Sequence, residues 1–336
     1  MNTFELTRAL VNIDSVTEHE EDVGVFLLEY LAALAAHTHG SAERLDVEAG
    51  RFNVLATWGE PYVTLSTHMD VVPPFFPSRE DDDFIYGRGA CDAKGIIASM
   101  IGAAERLLQR GRRGFGLLFV VGEERNSAGA YAAARVRRGA RYLINGEPTE
   151  NRLALGSKGA LRFELVAHGR MAHSAYPELG DSAIEKLLDA VEEIRRMPQP
   201  EDEVLGRGTL NIGTISGGRA PNVIPDAARA ELMFRLVGDA EPVREAVMRA
   251  AAGRVEANEI LAIPAVRLSS LNDLPTTVVS YTTDIPAFGT SWGQPFLIGP
   301  GSIHVAHTLE EKVPKKQLLE AVDIYTEMTE RLLVAL

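Results

Sequence analysis

At five places in this chain a side chain able to bind a metal ion closes an apolar, strand-like segment. His68 and Asp70 follow Tyr62-Val63-Thr64-Leu65-Ser66-Thr67. Asp92 sits in Gly89-Ala90-Cys91-Asp92-Ala93-Lys94-Gly95, Glu123-Glu124 follow Phe119-Val120-Val121, Glu147 follows Tyr142-Leu143-Ile144-Asn145-Gly146, and His307 lies in Ser302-Ile303-His304-Val305-Ala306-His307. In open α/β sheets the carboxyl ends of strands line the ligand crevice, so ligands exported from several strand ends can converge on one spot. This pattern points to a metallohydrolase with an α/β fold.

The apolar spacing predicts helices at 21–36, 94–109 and 127–136 and strands at 51–58, 62–67, 115–121 and 141–145. Such alternation implies a mostly parallel sheet covered by helices. After Glu147 the rhythm changes: a strand at 161–167, an amphipathic helix at 181–197, strands at 209–215 and 227–236, a helix at 241–257 and a last strand at 263–268. That β-α-β-β-α-β order predicts a ferredoxin-like α+β module. The α/β pattern resumes with a strand at 295–298 and a helix at 315–334. His307 lies beyond the module and the other ligand candidates precede it. The metal-binding domain is therefore expected to be discontinuous, 1–157 with 266–336, and 158–265 an insertion.

Composition narrows the function classes. A chain of 336 residues, 46% apolar and 24% charged, is long enough for two domains with full cores. Its net charge of −13 argues against nucleic acid or an anionic membrane as partner, since both favour basic patches. The start lacks the layout of a signal peptide and no stretch approaches the ~18 uninterrupted apolar residues of a membrane span, so a cytoplasmic location is expected. The single cysteine, Cys91, excludes an internal disulfide and a cysteine-only zinc site. No base is indicated beside it, and a structural role is expected.

Imidazole nitrogen and carboxylate oxygen suit zinc or another borderline divalent ion, and catalytic sites leave a position open for water. Two histidines and three carboxylates suit a pair of such ions about 3.5 to 4 Å apart, with Asp92 the candidate bridge. Asp70 reads as the partner that fixes the His68 tautomer. Glu123 and Glu124 cannot both point the same way on a strand, so one can bind metal while its neighbour takes a proton from water.

Taken together, Ser66-Thr67-His68-Met69-Asp70-Val71-Val72-Pro73, Gly87-Arg88-Gly89-Ala90-Cys91-Asp92-Ala93-Lys94-Gly95, Glu123-Glu124 with Ser127-Ala128-Gly129-Ala130, Gly146-Glu147-Pro148-Thr149, Gly299-Pro300-Gly301-Ser302 and Ala306-His307-Thr308 resemble one family. It is the M20 zinc metallopeptidase and aminoacylase family, which includes acetylornithine deacetylase, succinyl-diaminopimelate desuccinylase, aminoacylase-1 and glutamate carboxypeptidases. The resemblance implies a zinc-aminopeptidase-like sheet sandwiched by helices, with an inserted lid and dimerisation domain. By the same resemblance His68, Asp92 and Glu147 bind one metal and Asp92, Glu124 and His307 the other. Glu123 is then the general base and later proton donor, and Asp70 orients His68. The metals implied are two zinc ions, with cobalt the alternative. Gly169-Arg170-Met171-Ala172-His173-Ser174 resembles the segment whose histidine helps stabilise the tetrahedral intermediate, in dimers at the partner's site. Asn222 and Arg235 resemble lid residues that hold a substrate carboxylate, for which a guanidinium is a bidentate clamp.

Among substrates, 281–288 (Tyr-Thr-Thr-Asp-Ile-Pro-Ala-Phe) looks more like acetylornithine deacetylase than the desuccinylase, whose Gly-Thr-Ser-Asp-Gly element is broken here by Trp292 after Gly289-Thr290-Ser291. The resemblance thus implies a small N-acyl amino acid substrate, first N-acetyl-ornithine, in a homodimer. N-acetyl-citrulline, N-acetyl-lysine, N-succinyl-diaminopimelate and dipeptides are the alternatives. Asp273 and Asp284 are candidates to meet a cationic side chain. A non-catalytic binding or regulatory relative is the reading from another class; it predicts loss of a ligand or of the base, and all are present.

Overall fold

The structure is a computed structural model that describes residues 1–136 and 140–334. In chain order it forms α1 (Thr3–Val11), α2 (Glu21–Thr38), β1 (Ser41–Glu48), β2 (Arg51–Trp58), β3 (Val63–His68), β4 (Arg79–Glu80), β5 (Phe84–Tyr86), α3 (Lys94–Gln109), β6 (Phe115–Val120), α4 (Ala128–Ala134), β7 (Tyr142–Asn145) and β8 (Leu153–Ser157). There follow β9 (Gly159–His168), α5 (Ala183–Arg196), β10 (Glu201–Asp202), β11 (Gly206–Arg207), β12 (Thr209–Gly217), β13 (Ala227–Leu236), α6 (Glu241–Ala251), β14 (Glu256–Ile263) and β15 (Val266–Arg267). The last stretch is β16 (Thr276–Val279), α7 (Ile285–Phe288), β17 (Gln294–Leu297), β18 (Lys312–Pro314) and α8 (Lys315–Val334). Among the described residues no helix is long and apolar enough to cross a membrane.

Two compact units result: Met1–Leu155 with Leu268–Thr277 and Thr283–Leu336, and Gly156–Arg267 with Val278–Thr282. The first is a mixed α/β unit around a six-stranded sheet in the order β1-β2-β6-β3-β7-β17. β6, β3, β7 and β17 run parallel, and β2 joins β6 antiparallel. β3 and β6 are buried along their whole length, as strands covered on both faces must be. Successive side chains point to opposite faces. Leu117 and Phe119 of β6 therefore join Ile97, Leu27 and Tyr325 in one core, while Leu118 and Val120 join Ala130, Phe288 and Trp292 in another. Trp292 is thus a core residue, and its indole N–H, donated to the Ala133 carbonyl at 2.9 Å, is satisfied where water cannot reach.

In the second unit the antiparallel sheet has the order β12-β13-β9-β14, the ferredoxin-like arrangement, with α5 and α6 over one face. Strict alternation along β13 puts Ala230, Leu232 and Phe234 against Leu187 and Val247. Two sequence expectations need correction here. The helix expected at 241–257 stops at Ala251, because Gly253 turns the chain at φ +71°. The final strand then runs over Glu256–Ile263 rather than 263–268.

Candidate metal centre

The carboxyl ends of the parallel strands deliver the ligand candidates. His68 is the last residue of β3, Glu123 and Glu124 stand in the turn after β6, Glu147 follows β7, and His307 lies on the segment after β17. Asp92 comes from the loop that opens α3. Its Oδ1 is 3.0 Å from His68 Nε2 and its Oδ2 is 3.3 Å from His307 Nε2, so each oxygen faces a different imidazole. Glu124 lies 3.0 Å from the same His307 nitrogen. His68, Asp92 and Glu124 each offer a ligand atom within 4.8 Å of the others, a set that could hold a metal ion. Glu147 is buried and acts electrostatically on His68, Asp92 and Glu123. Imidazole and carboxylate in this proportion fit borderline divalent cations, and a carboxylate presenting one oxygen to each side fits a bridge.

The electrostatics fit positive charge in the same place. Burial, together with the Glu147 carboxylate, pushes Glu123 well above the usual carboxyl range. Burial, with Asp92 and Asp284 adding to it, does the same to Glu147 against the pull of His68. Hydrogen bonds to Asp92 and Glu124 hold the His307 imidazolium up to about 10. Burial opposes ionisation of Asp92, yet the hydrogen bonds from His307 and His68 draw it far below the ordinary value. Carboxylates packed this tightly must share protons or cations.

Asp70 does more than face His68. The His68 Nδ1 lies 2.9 Å from the Asp70 carbonyl oxygen and 3.6 Å from its carboxylate. The carboxylate accepts instead from the Thr17 hydroxyl at 2.9 Å and from the backbone N–H groups of Glu123 and Glu124 at 3.1 and 3.2 Å. Glu123 and Glu124 do not continue a strand, as the sequence argument supposed. They occupy a turn in which the N–H groups of Asn126 and Ser127 donate to the Gly122 carbonyl at 3.0 and 2.7 Å. Gly122 adopts φ +80°, and a Cβ there would stand 2.8 Å from the Arg51 guanidinium, so the turn needs a glycine. Asn53 closes the turn from below, accepting from Val121 N–H and donating to the Gly129 carbonyl.

The remaining three candidates belong to the second unit. His173 pairs with Val223 in an isolated bridge, its Nδ1 accepts the Ala175 N–H at 3.1 Å, and Ser174 N–H donates to the Asn222 carbonyl at 3.0 Å. The His173 and Asn222 segments are thus neighbours. Arg235 is on β13, opposite Ala160 and Thr209, and burial lowers its pKa.

Sequence reasoning passed over several groups that brace the ligands. Nothing in the apolar spacing singles out Thr17, whose hydroxyl donates to Asp70. The Ser127 side chain lowers the Asp284 carboxyl against the effect of its burial, and Asp284 Oδ1 is buried without a hydrogen-bond partner. Asp284 is 2% exposed and lies in the electrostatic field of His68, Asp70 and Glu124. Asp273 lies on the surface 3.7 Å from Arg331. Cys91 is fully buried and burial pushes its thiol well up, so it is no nucleophile. Its neighbour Asp92 is held by Glu311, of which nothing in the spacing gave notice.

The sequence profile of peptidase family M20/M25/M40 matches residues 64–331. The chain belongs to this family. A Peptidase M20 domain-containing protein of Schizosaccharomyces pombe is 37% identical over 97% of this chain and 84% of its own length. A protein of Aspergillus terreus named as a probable carboxypeptidase is 36% identical over 96% of this chain and 84% of its own. Among solved structures, a tripeptidase of Staphylococcus aureus has the same fold, with a TM-score of 0.81 at 21% identity, covering 98% of both chains.

Proposed function

We propose that this M20 protein is a dinuclear metal-dependent exopeptidase of the carboxypeptidase or dipeptidase type, hydrolysing the amide bond next to a free α-carboxylate. The observation that carries it is Asp92, one of whose oxygens faces His68 and the other His307, with the half-buried Glu123 in the same cluster. His68, Asp92 and Glu147 would hold one cation and Asp92, Glu124 and His307 the other, zinc being the first choice and cobalt the second. Cations bound there supply Lewis acidity to the amide carbonyl and to the attacking water. Burial raises the proton affinity of the Glu123 carboxyl, which suits a group that takes a proton and gives it back. Glu123 removes the water proton as oxygen adds to the acyl carbon; it returns that proton to nitrogen as the C–N bond breaks. Asp70 holds the Glu123 N–H and, through its carbonyl, the His68 tautomer. His173 is the proposed oxyanion donor, for this chain's substrate or a partner copy's, and Asn222 and Arg235 the proposed carboxylate clamp. The protein is read as a cytoplasmic homodimer joined through its second unit.

The names of the similar proteins support a peptide substrate over a biosynthetic one. N-acetyl-ornithine deacetylation remains the second reading, favoured by the 281–288 segment. The test is amine release by chelator-stripped protein with zinc or cobalt restored. The panel is a dipeptide, its C-terminal amide, N-acetyl-ornithine, N-acetyl-citrulline and N-succinyl-diaminopimelate. Metal-dependent cleavage of the dipeptide with the amide refused supports the exopeptidase; preference for an acyl amino acid moves the substrate and keeps the chemistry. No turnover of any by folded, metal-loaded protein contradicts the reading.

A further inference from the structure

Arg88 and Glu311 form an ion pair with each side chain only 1% exposed, Nη1 to Oε2 at 2.6 Å. Burying two charges costs desolvation that their attraction often only just repays, so stability alone does not explain such a pair. Its second carboxylate oxygen shows what else it does. Glu311 Oε1 accepts the backbone N–H groups of Cys91 at 3.3 Å and Asp92 at 3.2 Å. The Glu311 carbonyl accepts the Gly87 N–H at 3.1 Å, so the loop from Gly87 to Asp92 closes around this one residue. Arg88 is fixed in turn, its Nε donating to the Pro74 carbonyl at 3.3 Å with its guanidinium 5.0 Å from the Phe76 ring centre. Glu311 stands four residues beyond His307, on the segment that carries that ligand.

We infer that Glu311, locked by Arg88, is a positioning residue that sets where Asp92 stands between the two metal sites. A bridging carboxylate must serve two ions about 3.5 to 4 Å apart, which leaves its backbone little room to move. Glu311 ties the loop of Asp92 to the segment of His307, so the two ligands of one site are held in register by a single carboxylate. Partners of this kind, outside the ligands themselves, typically govern metal affinity by 10- to 100-fold.

This inference rests on the two-metal reading, and the test separates the two. Zinc is titrated calorimetrically into the chelator-stripped full chain, wild type and variants, and the cobalt forms are compared by electron paramagnetic resonance for coupling between the ions. Glu311→Asp keeps the charge opposite Arg88 but withdraws it from the Cys91 and Asp92 N–H groups; Glu311→Gln keeps the length and loses the charge. Leu31→Ala, a core truncation on α2, supplies destabilisation without contact to the site. The expected result is that Glu311→Asp binds its second zinc at least tenfold more weakly and loses cobalt coupling. Glu311→Gln, where folded, does the same, and Leu31→Ala melts earlier with both properties intact. Wild-type zinc affinities and coupling in Glu311→Asp would overturn the inference alone. Fewer than two ions in the wild type would overturn the two-metal reading and this inference with it.

Discussion

The hydroxyl of Thr17 donates to the carboxylate of Asp70 at 2.9 Å, joining the segment ahead of α2 to the centre of the ligand cluster. Asp70 is fully buried, and its other acceptor bonds go to the N–H groups of Glu123 and Glu124. A hydrogen bond to a buried charge contributes about 1.5 to 3 kcal/mol. Thr17→Val therefore lowers the melting temperature by several degrees and reduces kcat, while Thr17→Ser restores most of both. Melting and kinetics of the pair check this; a Thr17→Val protein with wild-type kcat shows that Asp70 needs no such support.

Glu123 is half-buried beside the ligands but makes none of the close His contacts that Asp92 and Glu124 make. Glu123→Ala accordingly keeps the fold and the metal and loses hydrolysis, by about 10²- to 10⁴-fold for a proton-transfer group. Metal analysis beside the assay separates this from loss of a ligand. Wild-type hydrolysis by this variant means that another group is the base.

The pH dependence of stability carries a mark of Asp284, whose carboxyl is pushed up to about 7, chiefly by burial. The folded chain keeps this proton where the unfolded chain, with an ordinary value near 3.9, has lost it. The native state therefore binds more protons between about pH 4 and 7, and this group's contribution to stability falls as pH rises through that window. In metal-stripped protein, Asp284→Asn raises the melting temperature relative to wild type at pH 8 and changes it little at pH 4. An equal shift at both pH values removes the titration from the account.

How far the sequence carried depended on whether a segment's neighbours were local. Helices α3 and α8 and strands β2, β3 and β6 follow their apolar spacing closely, because each packs one continuous face or is wholly buried. Strand β1 was not read at all: Ser41–Glu48 is half-exposed, with charges on both faces, and only its register against β2 makes it a strand. β14 was hidden for the same reason, its residues mostly exposed, while Val255 and Ala257 extended the helical spacing of α6 past its true end. The ligand candidates stood out because each closes an apolar run. The groups bracing them did not, since Glu311 meets Asp92 across 219 residues and Thr17 meets Asp70 across 53.

For the homodimer, β12 is an edge strand with Ile215 56% exposed, and Leu188 on α5 is 45% exposed. Unpaired edges and apolar side chains in the open are where a second chain docks. If the proposed homodimer forms through this surface, sedimentation is expected to find a dimer for the wild type and a monomer for Leu188→Glu with Ile215→Lys; a wild-type monomer excludes this assembly.

In the proposed centre Asp92 bridges two cations. Zinc content and binding isotherms of the chelator-stripped protein test it most directly, wild type against Asp92→Asn. Two zinc ions per chain are expected in the wild type and, in the folded variant, at most one retained together with loss of hydrolysis. Two tightly held ions and ordinary turnover in Asp92→Asn would contradict it.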